Sequence, residues 1–110
     1  EGISIVYPTI NAGGGNIVMN GKGYASASGY GMGVSIEYAT VQTSGNGMIT
    51  LTGTGTTGSN WTSGVWIDTA TVSAANGSIA LNGTGGSGSN PFGIALLNDR
   101  LSHKTSPFYH

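Results

Sequence analysis

No cysteine occurs in the sequence, which excludes both a disulfide framework and a thiolate metal site. Charge is nearly as scarce: Lys and Arg total 3, Asp and Glu total 4, and charged residues make up 6% of the chain, against roughly 25% in an ordinary soluble domain. So few basic residues leave no electrostatic footprint for nucleic acid or for an anionic membrane, and neither is expected as a partner. No apolar run approaches the roughly 20 residues that span a bilayer, and no basic segment leading into an apolar stretch opens the chain. Membrane insertion is not expected. Disorder is also disfavoured, because segments that stay unfolded usually combine high net charge with low hydrophobicity, whereas here the apolar fraction is 37% and the net charge −1.

What fills the 110 residues instead is Gly, 21 of them, with Ser, Thr and Asn. A chain of this length holds one domain. Such a composition folds only on an unusually regular backbone, and the regularity is visible. Ile17-Val18-Met19-Asn20-Gly21-Lys22-Gly23 recurs as Ile49-Thr50-Leu51-Thr52-Gly53-Thr54-Gly55 and as Ile79-Ala80-Leu81-Asn82-Gly83-Thr84-Gly85. A second motif, Gly2-Ile3-Ser4-Ile5, returns as Gly33-Val34-Ser35-Ile36, Gly64-Val65-Trp66-Ile67 and Gly93-Ile94-Ala95-Leu96. A third, Pro8-Thr9-Ile10, returns as Ala39-Thr40-Val41 and Ala70-Thr71-Val72, with Arg100-Leu101 in the last two places of a fourth copy.

Each motif alternates apolar with small or polar residues, as a strand with one inward face does, and is too short and too rich in Gly and β-branched residues for a helix. A unit of about thirty residues with three such strands buries its apolar face only against the next unit, so the units stack as coils with equivalent strands parallel. The expected fold is all-β: a single-stranded parallel β-helix, or β-solenoid, of about three coils of roughly thirty residues. The segment 1–110 divides into units of about 15–45, 46–75 and 76–104, with a partial unit at 1–14. Like then lies on like: Ile17, Ile49 and Ile79 in one internal column, Met19, Leu51 and Leu81 in another, Ile5, Ile36, Ile67 and Leu96 in a third. Asn-Gly at 20–21, 76–77 and 82–83 is expected at corners that need positive φ. The link between the first two motifs shortens from coil to coil and carries Tyr24, Tyr30, Trp61, Asn90 and Phe92, so it is expected to project from one edge. Both ends fall inside a repeat, and Phe108-Tyr109-His110 aligns with Ile79-Ala80-Leu81.

The run Gly45-Asn46-Gly47-Met48-Ile49-Thr50-Leu51-Thr52-Gly53-Thr54-Gly55, followed by Gly64-Val65-Trp66-Ile67 and Ala70-Thr71-Val72, resembles the β-solenoid repeats of filamentous-haemagglutinin-type exoproteins, bacterial adhesins of the two-partner secretion pathway. The resemblance covers essentially the whole chain, the last dozen residues least well. It implies a right-handed helix, an extracellular or cell-surface location and an adhesive or scaffolding role. It implies no catalytic residue.

Candidate site residues are few. Glu37 and Asp68 occupy the same place in successive coils and are expected to point outward about 5 Å apart, near the separation of a retaining glycosidase's carboxylates, with Trp66 on the same face for a sugar ring to stack on. The flanking coils carry Val6 and Leu97 there and no Arg, Lys or His joins them, so two solvated carboxylates are the simpler reading. His103 and His110, with Asp99, Arg100 and Lys104, do not form a metal-ligand pattern, and the Gly-x-Gly stretches, with no helix after them, mark turns rather than phosphate cradles. Asn60, Asn76 and Asn82 match the glycosylation acceptor pattern, Asn60 best placed in the projecting loop. The outward column Val18, Thr50, Ala80 and Tyr109 is no threonine ladder and argues against ice binding.

The expectation is therefore a non-enzymatic structural or adhesive segment without a cofactor. Its surface would rest on Trp61, Trp66, Glu37 and Asp68. Its partners would be neighbouring coils of the same or an identical chain and host-surface or matrix glycans. A self-assembling filament subunit and a polysaccharide-active β-helix are the alternatives.

Overall fold

The computed structural model describes residues 2–24, 31–59, 61–88 and 91–103. Thirteen strands and no helix make up the described chain. The first coil contributes β1 (Ile3–Val6), β2 (Thr9–Asn11) and β3 (Ile17–Lys22), and the second β4 (Val34–Glu37), β5 (Thr40–Thr43), β6 (Ile49–Thr54) and the short β7 (Thr57–Ser59). The third holds β8 (Val65–Asp68), β9 (Thr71–Ala74), β10 (Ile79–Thr84) and the short β11 (Ser87–Gly88), after which β12 (Ile94–Leu97) and β13 (Arg100–His103) begin another turn. Equivalent strands pair in parallel into the sheets β1-β4-β8-β12, β3-β6-β10 and β2-β5-β9-β13. The chain is a parallel β-helix of about three coils.

The register is the one that the repeats dictate. Ile17 pairs with Ile49 and Ile49 with Ile79; Met19, Leu51 and Leu81 follow two places on. Ile5, Ile36, Ile67 and Leu96 make the third column. Where both faces are stacked the columns are dry: Ile36, Ile49, Leu51, Ile67, Val41 and Val72 are fully buried. At the outer coils Ile5, Ile79 and Leu81 are only partly covered, as expected of a core one coil wide that each neighbour completes.

Of the three Asn-Gly dipeptides, Asn76-Gly77 lies at a corner, between β9 and β10, as expected, and the other two do not. Asn20-Gly21 and Asn82-Gly83 are not corners but lie inside the six-residue strands β3 and β10, and Gly53 holds the same place in β6. The third inward position of this strand is always Gly because the opposite wall of the coil comes too close for a side chain. A Cβ on Gly21, Gly53 or Gly83 would collide with the carbonyl oxygen of Gly33, Gly64 or Gly93 respectively. Each coil is thus a wedge, wide at the Ile and Leu columns and closed at a glycine seam. The Gly-x-Gly stretches here mark that seam rather than turns.

Positive φ falls elsewhere. Gly13 and Gly45 adopt it at the corner before β3 and β6, and the corner between the β1-β4-β8-β12 and β2-β5-β9-β13 sheets uses Tyr7, Tyr38, Thr69 and Asn98, at φ 79, 51, 51 and 55. For non-glycine residues a left-handed backbone costs about 1–3 kcal/mol. Here it keeps the ladder unbroken through the bend: Tyr7 N–H donates to Glu37 O at 3.0 Å, Tyr38 N–H to Asp68 O at 3.0 Å and Thr69 N–H to Leu97 O at 2.7 Å. The Tyr7 and Tyr38 rings also stack, centroids 5.6 Å apart and planes 18° from parallel, which offsets part of the strain.

The link expected to project instead packs back on the coil where it is described, with Met32, Thr62 and Ser63 buried, and it carries β7 and β11, a short parallel pair with a register shift that extends two of the coils past the glycine seam. Tyr30 and Asn90, expected in this link, lie outside the described residues, as do Lys104 and the Phe108-Tyr109-His110 segment.

Candidate functional site

The outer face of the β1-β4-β8-β12 sheet differs from the rest of the surface. Alternation along its strands sends out two columns: Ser4, Ser35, Trp66 and Ala95, and beside it Val6, Glu37, Asp68 and Leu97. Glu37 and Asp68 are therefore direct neighbours across β4 and β8, as expected, and both are partly exposed. Each is held by a nearby hydroxyl: Ser35 Oγ donates to Glu37 Oε1 at 3.5 Å, and Thr69 Oγ1 to Asp68 Oδ1 at 2.8 Å. Ser35 itself is fully buried although it faces away from the core. It lies beside Trp66, whose indole is the large side chain in its column.

Trp66 and Trp61 come together. Trp61, with a left-handed backbone at φ 53, meets the Trp66 ring edge to face at a centroid distance of 5.2 Å. With Phe92 and the exposed edge of β12, Ile94 to Leu97, they line an open groove of about 480 Å³ that wraps from the outer face onto the uncovered end of the core. Thr62 and Ser63, just after Trp61, are fully buried and fix the base of the loop. Beyond the acidic pair, at the other end of the face, stand the stacked and exposed Tyr7 and Tyr38. The face therefore runs aromatic, acidic, aromatic. The outer positions of the other sheets read Val18, Thr50, Ala80, Asn20, Thr52 and Asn82, or Thr9, Thr40, Thr71 and Arg100. The last of these columns holds three threonines in register, a short ladder on β2-β5-β9 that ends at Arg100.

Asp99 joins the neighbourhood without a signal in the repeat. It stands where the earlier coils have buried Ala39 and Ala70 and uses its carboxylate as a stitch: Oδ1 accepts from Ala70 N–H at 3.1 Å and Oδ2 from Leu97 N–H at 2.9 Å. Desolvation outweighs these bonds, and with the like charge of Asp68 it raises the Asp99 pKa above its ordinary 3.8. A carboxyl that binds its proton more tightly in the folded state stabilises the fold most below its unfolded pKa and loses that contribution as pH rises through the folded value. Melting temperature is thus expected to fall as pH is raised from about 3 through the raised value and then to level, and Asp99→Asn is expected to remove that step. Thermal melts across this range check it.

Of the acceptor candidates, Asn76 is exposed at a corner and Asn82 exposed on β10, whereas Asn60 lies outside the described residues. Among the described residues no three His, Cys, Asp or Glu side chains gather as round a metal ion, and no helix is long and apolar enough to cross a membrane. Signals for the groove did exist in the sequence, in Trp61 and Phe92 flanking the motif that carries Trp66, but their convergence depends on how the link folds back over the sheet. No protein-family model, curated protein or solved structure matches the chain.

Proposed function

We propose that the chain is a structural or adhesive segment of a secreted or cell-surface bacterial β-solenoid, a spacer that holds side-chain columns and links at fixed intervals and performs no catalysis. The observation that carries this reading is the unbroken parallel register of every long strand with its equivalents, because such a stack makes length and a repetitive surface but no enclosed reaction chamber. The likeness to filamentous-haemagglutinin-type repeats supports the same location and role. The paired carboxylates fit it too: Glu37 and Asp68 are partly exposed, each with a local hydroxyl donor and with no cationic side chain in the flanking columns. Brief protease treatment of intact source cells, followed by detection with an antibody against this chain, tests the location. Loss of signal from intact cells, or recovery from the culture medium, is expected; a signal protected until lysis would overturn it.

A second reading, head-to-tail stacking of identical chains into a filament, is favoured by one observation. Ile79, Leu81, Ile94, Leu96 and Leu101, together with Asn98, Asp99 and Arg100, line an open and mainly apolar cavity of about 820 Å³ at the β10, β12 and β13 end. Strand edges and apolar columns of this kind template pairing with further strands. It predicts concentration-dependent fibres by electron microscopy of the purified chain, and monomers alone at high concentration would exclude it.

A further inference from the structure

We propose that the outer face of the β1-β4-β8-β12 sheet binds a neutral polysaccharide, with Trp66 as the platform on which a sugar ring stacks and Glu37 and Asp68 as acceptors for its hydroxyls. The inference deepens the adhesive reading by naming its ligand class, and it rests on that reading only for where the ligand would be met.

Three features of this face select that chemistry. The first is its composition: Trp61, Trp66, Tyr7 and Tyr38 all crowd round one sheet, while the outer columns of the other sheets consist mainly of Thr, Asn, Ser and small apolar residues. Aromatic side chains present a broad apolar face at little conformational cost, and the C–H face of a pyranose is a flat apolar surface of matching kind. The second is the charge. Two of the four acidic residues of the chain sit side by side here, and the strand positions around them carry no Lys, Arg or His. Sulfated, sialylated or uronic acid chains would be repelled, whereas vicinal hydroxyls donate two hydrogen bonds to one carboxylate. The third is the shape: the groove beside Trp61 and Trp66 is open rather than enclosed, so it admits a chain lying across it rather than a small molecule surrounded by it. Trp66 and Asp68 are two residues apart on one face of β8, about 6.6 Å at the usual strand rise, so one sugar stacked on the indole places its hydroxyls within reach of the carboxylate.

An array of immobilised neutral, sialylated and sulfated saccharides, probed with the intact chain, tests this. Binding is expected on neutral hexopyranose polymers and not on sulfated or sialylated ones. Trp66→Ala is expected to weaken it about tenfold or more, and Asp68→Ala to weaken it similarly, each with an unchanged β-sheet circular dichroism spectrum. Thr50→Ala, on a different sheet, is expected to leave it intact. No binding to any neutral saccharide, a preference for the anionic ones, or binding indifferent to both Trp66→Ala and Asp68→Ala would overturn the proposal. Should Trp66→Ala fail to fold, Asp68→Asn decides, since it removes the charge while keeping the side chain's size. Failure here with protein still exposed on intact cells would leave the structural reading standing and this ligand assignment alone refuted.

Discussion

Leu51→Asp is expected to abolish the cooperative thermal transition, while Thr50→Asp, one residue earlier, melts close to the parent protein. Leu51 is fully buried in the middle coil, with Met19 on one side of it in the column and Leu81 on the other, and Thr50 faces outward. Truncating a buried Leu costs about 2–5 kcal/mol, and a carboxylate placed between two apolar side chains with no partner adds several more. Single domains are stable by only about 5–15 kcal/mol, so the substitution consumes most or all of the margin. It also cuts the stack at its centre, where each coil depends on its neighbours for burial. Melting curves of the two variants check the prediction, and similar behaviour in both would mean that the alternation along β6 is misassigned.

Gly53→Ala is expected to be nearly as damaging for the addition of one methyl group. Its Cβ would meet the carbonyl oxygen of Gly64 far inside van der Waals contact and press on Val65 Cγ2 at 3.0 Å. The obstacle is backbone, so no side-chain rotation relieves it, and Gly21 and Gly83 lock the same seam in the coils on either side. Widening one coil would break the match with both, and a loss of at least about 3 kcal/mol follows. Gly14→Ala is the control. Nothing lies within 4 Å of its Cβ position and its φ is not left-handed, so the substitution is expected to be neutral or to stabilise by about 0.4–1 kcal/mol through the unfolded chain. Denaturant titration of both variants measures the difference.

The columns were legible because identical environments stacked at a near-constant spacing select similar residues. Ile17, Ile49 and Ile79, or Val41 and Val72, announce their contacts by their likeness, and the Glu37–Asp68 pairing follows from the same period. Glycine was harder to read, since the same residue answers to two physical demands. In Asn20-Gly21 and Asn82-Gly83 the Gly is there for the approach of the opposite wall rather than for positive φ, and a dipeptide alone does not distinguish the two. The left-handed corner ran against propensity at Tyr7, Tyr38 and Thr69, and only Asn98 suits it. Tyr7, Tyr38, Thr69 and Asn98 take that backbone because two residues must connect strands whose registers are fixed on both sides, with ring stacking and inter-coil hydrogen bonds offsetting the strain. The aromatic groove was half visible: Trp66 belonged to a strand and its outward direction was predictable, whereas the meeting of Trp61 with it depends on the fold of a link that no repeat constrains. Asp99 was invisible as a stitch, because it departs from the alanines of its own column.

The parallel in-register stack is tested most directly by methyl–methyl nuclear Overhauser effects in protein labelled only at isoleucine δ1 methyls. Ile49 is predicted to show cross-peaks to both Ile17 and Ile79, and Ile36 to both Ile5 and Ile67, since each pair occupies adjacent coils at the same place. Absence of the Ile17 and Ile79 cross-peaks from Ile49 in folded protein would contradict the β-solenoid described here.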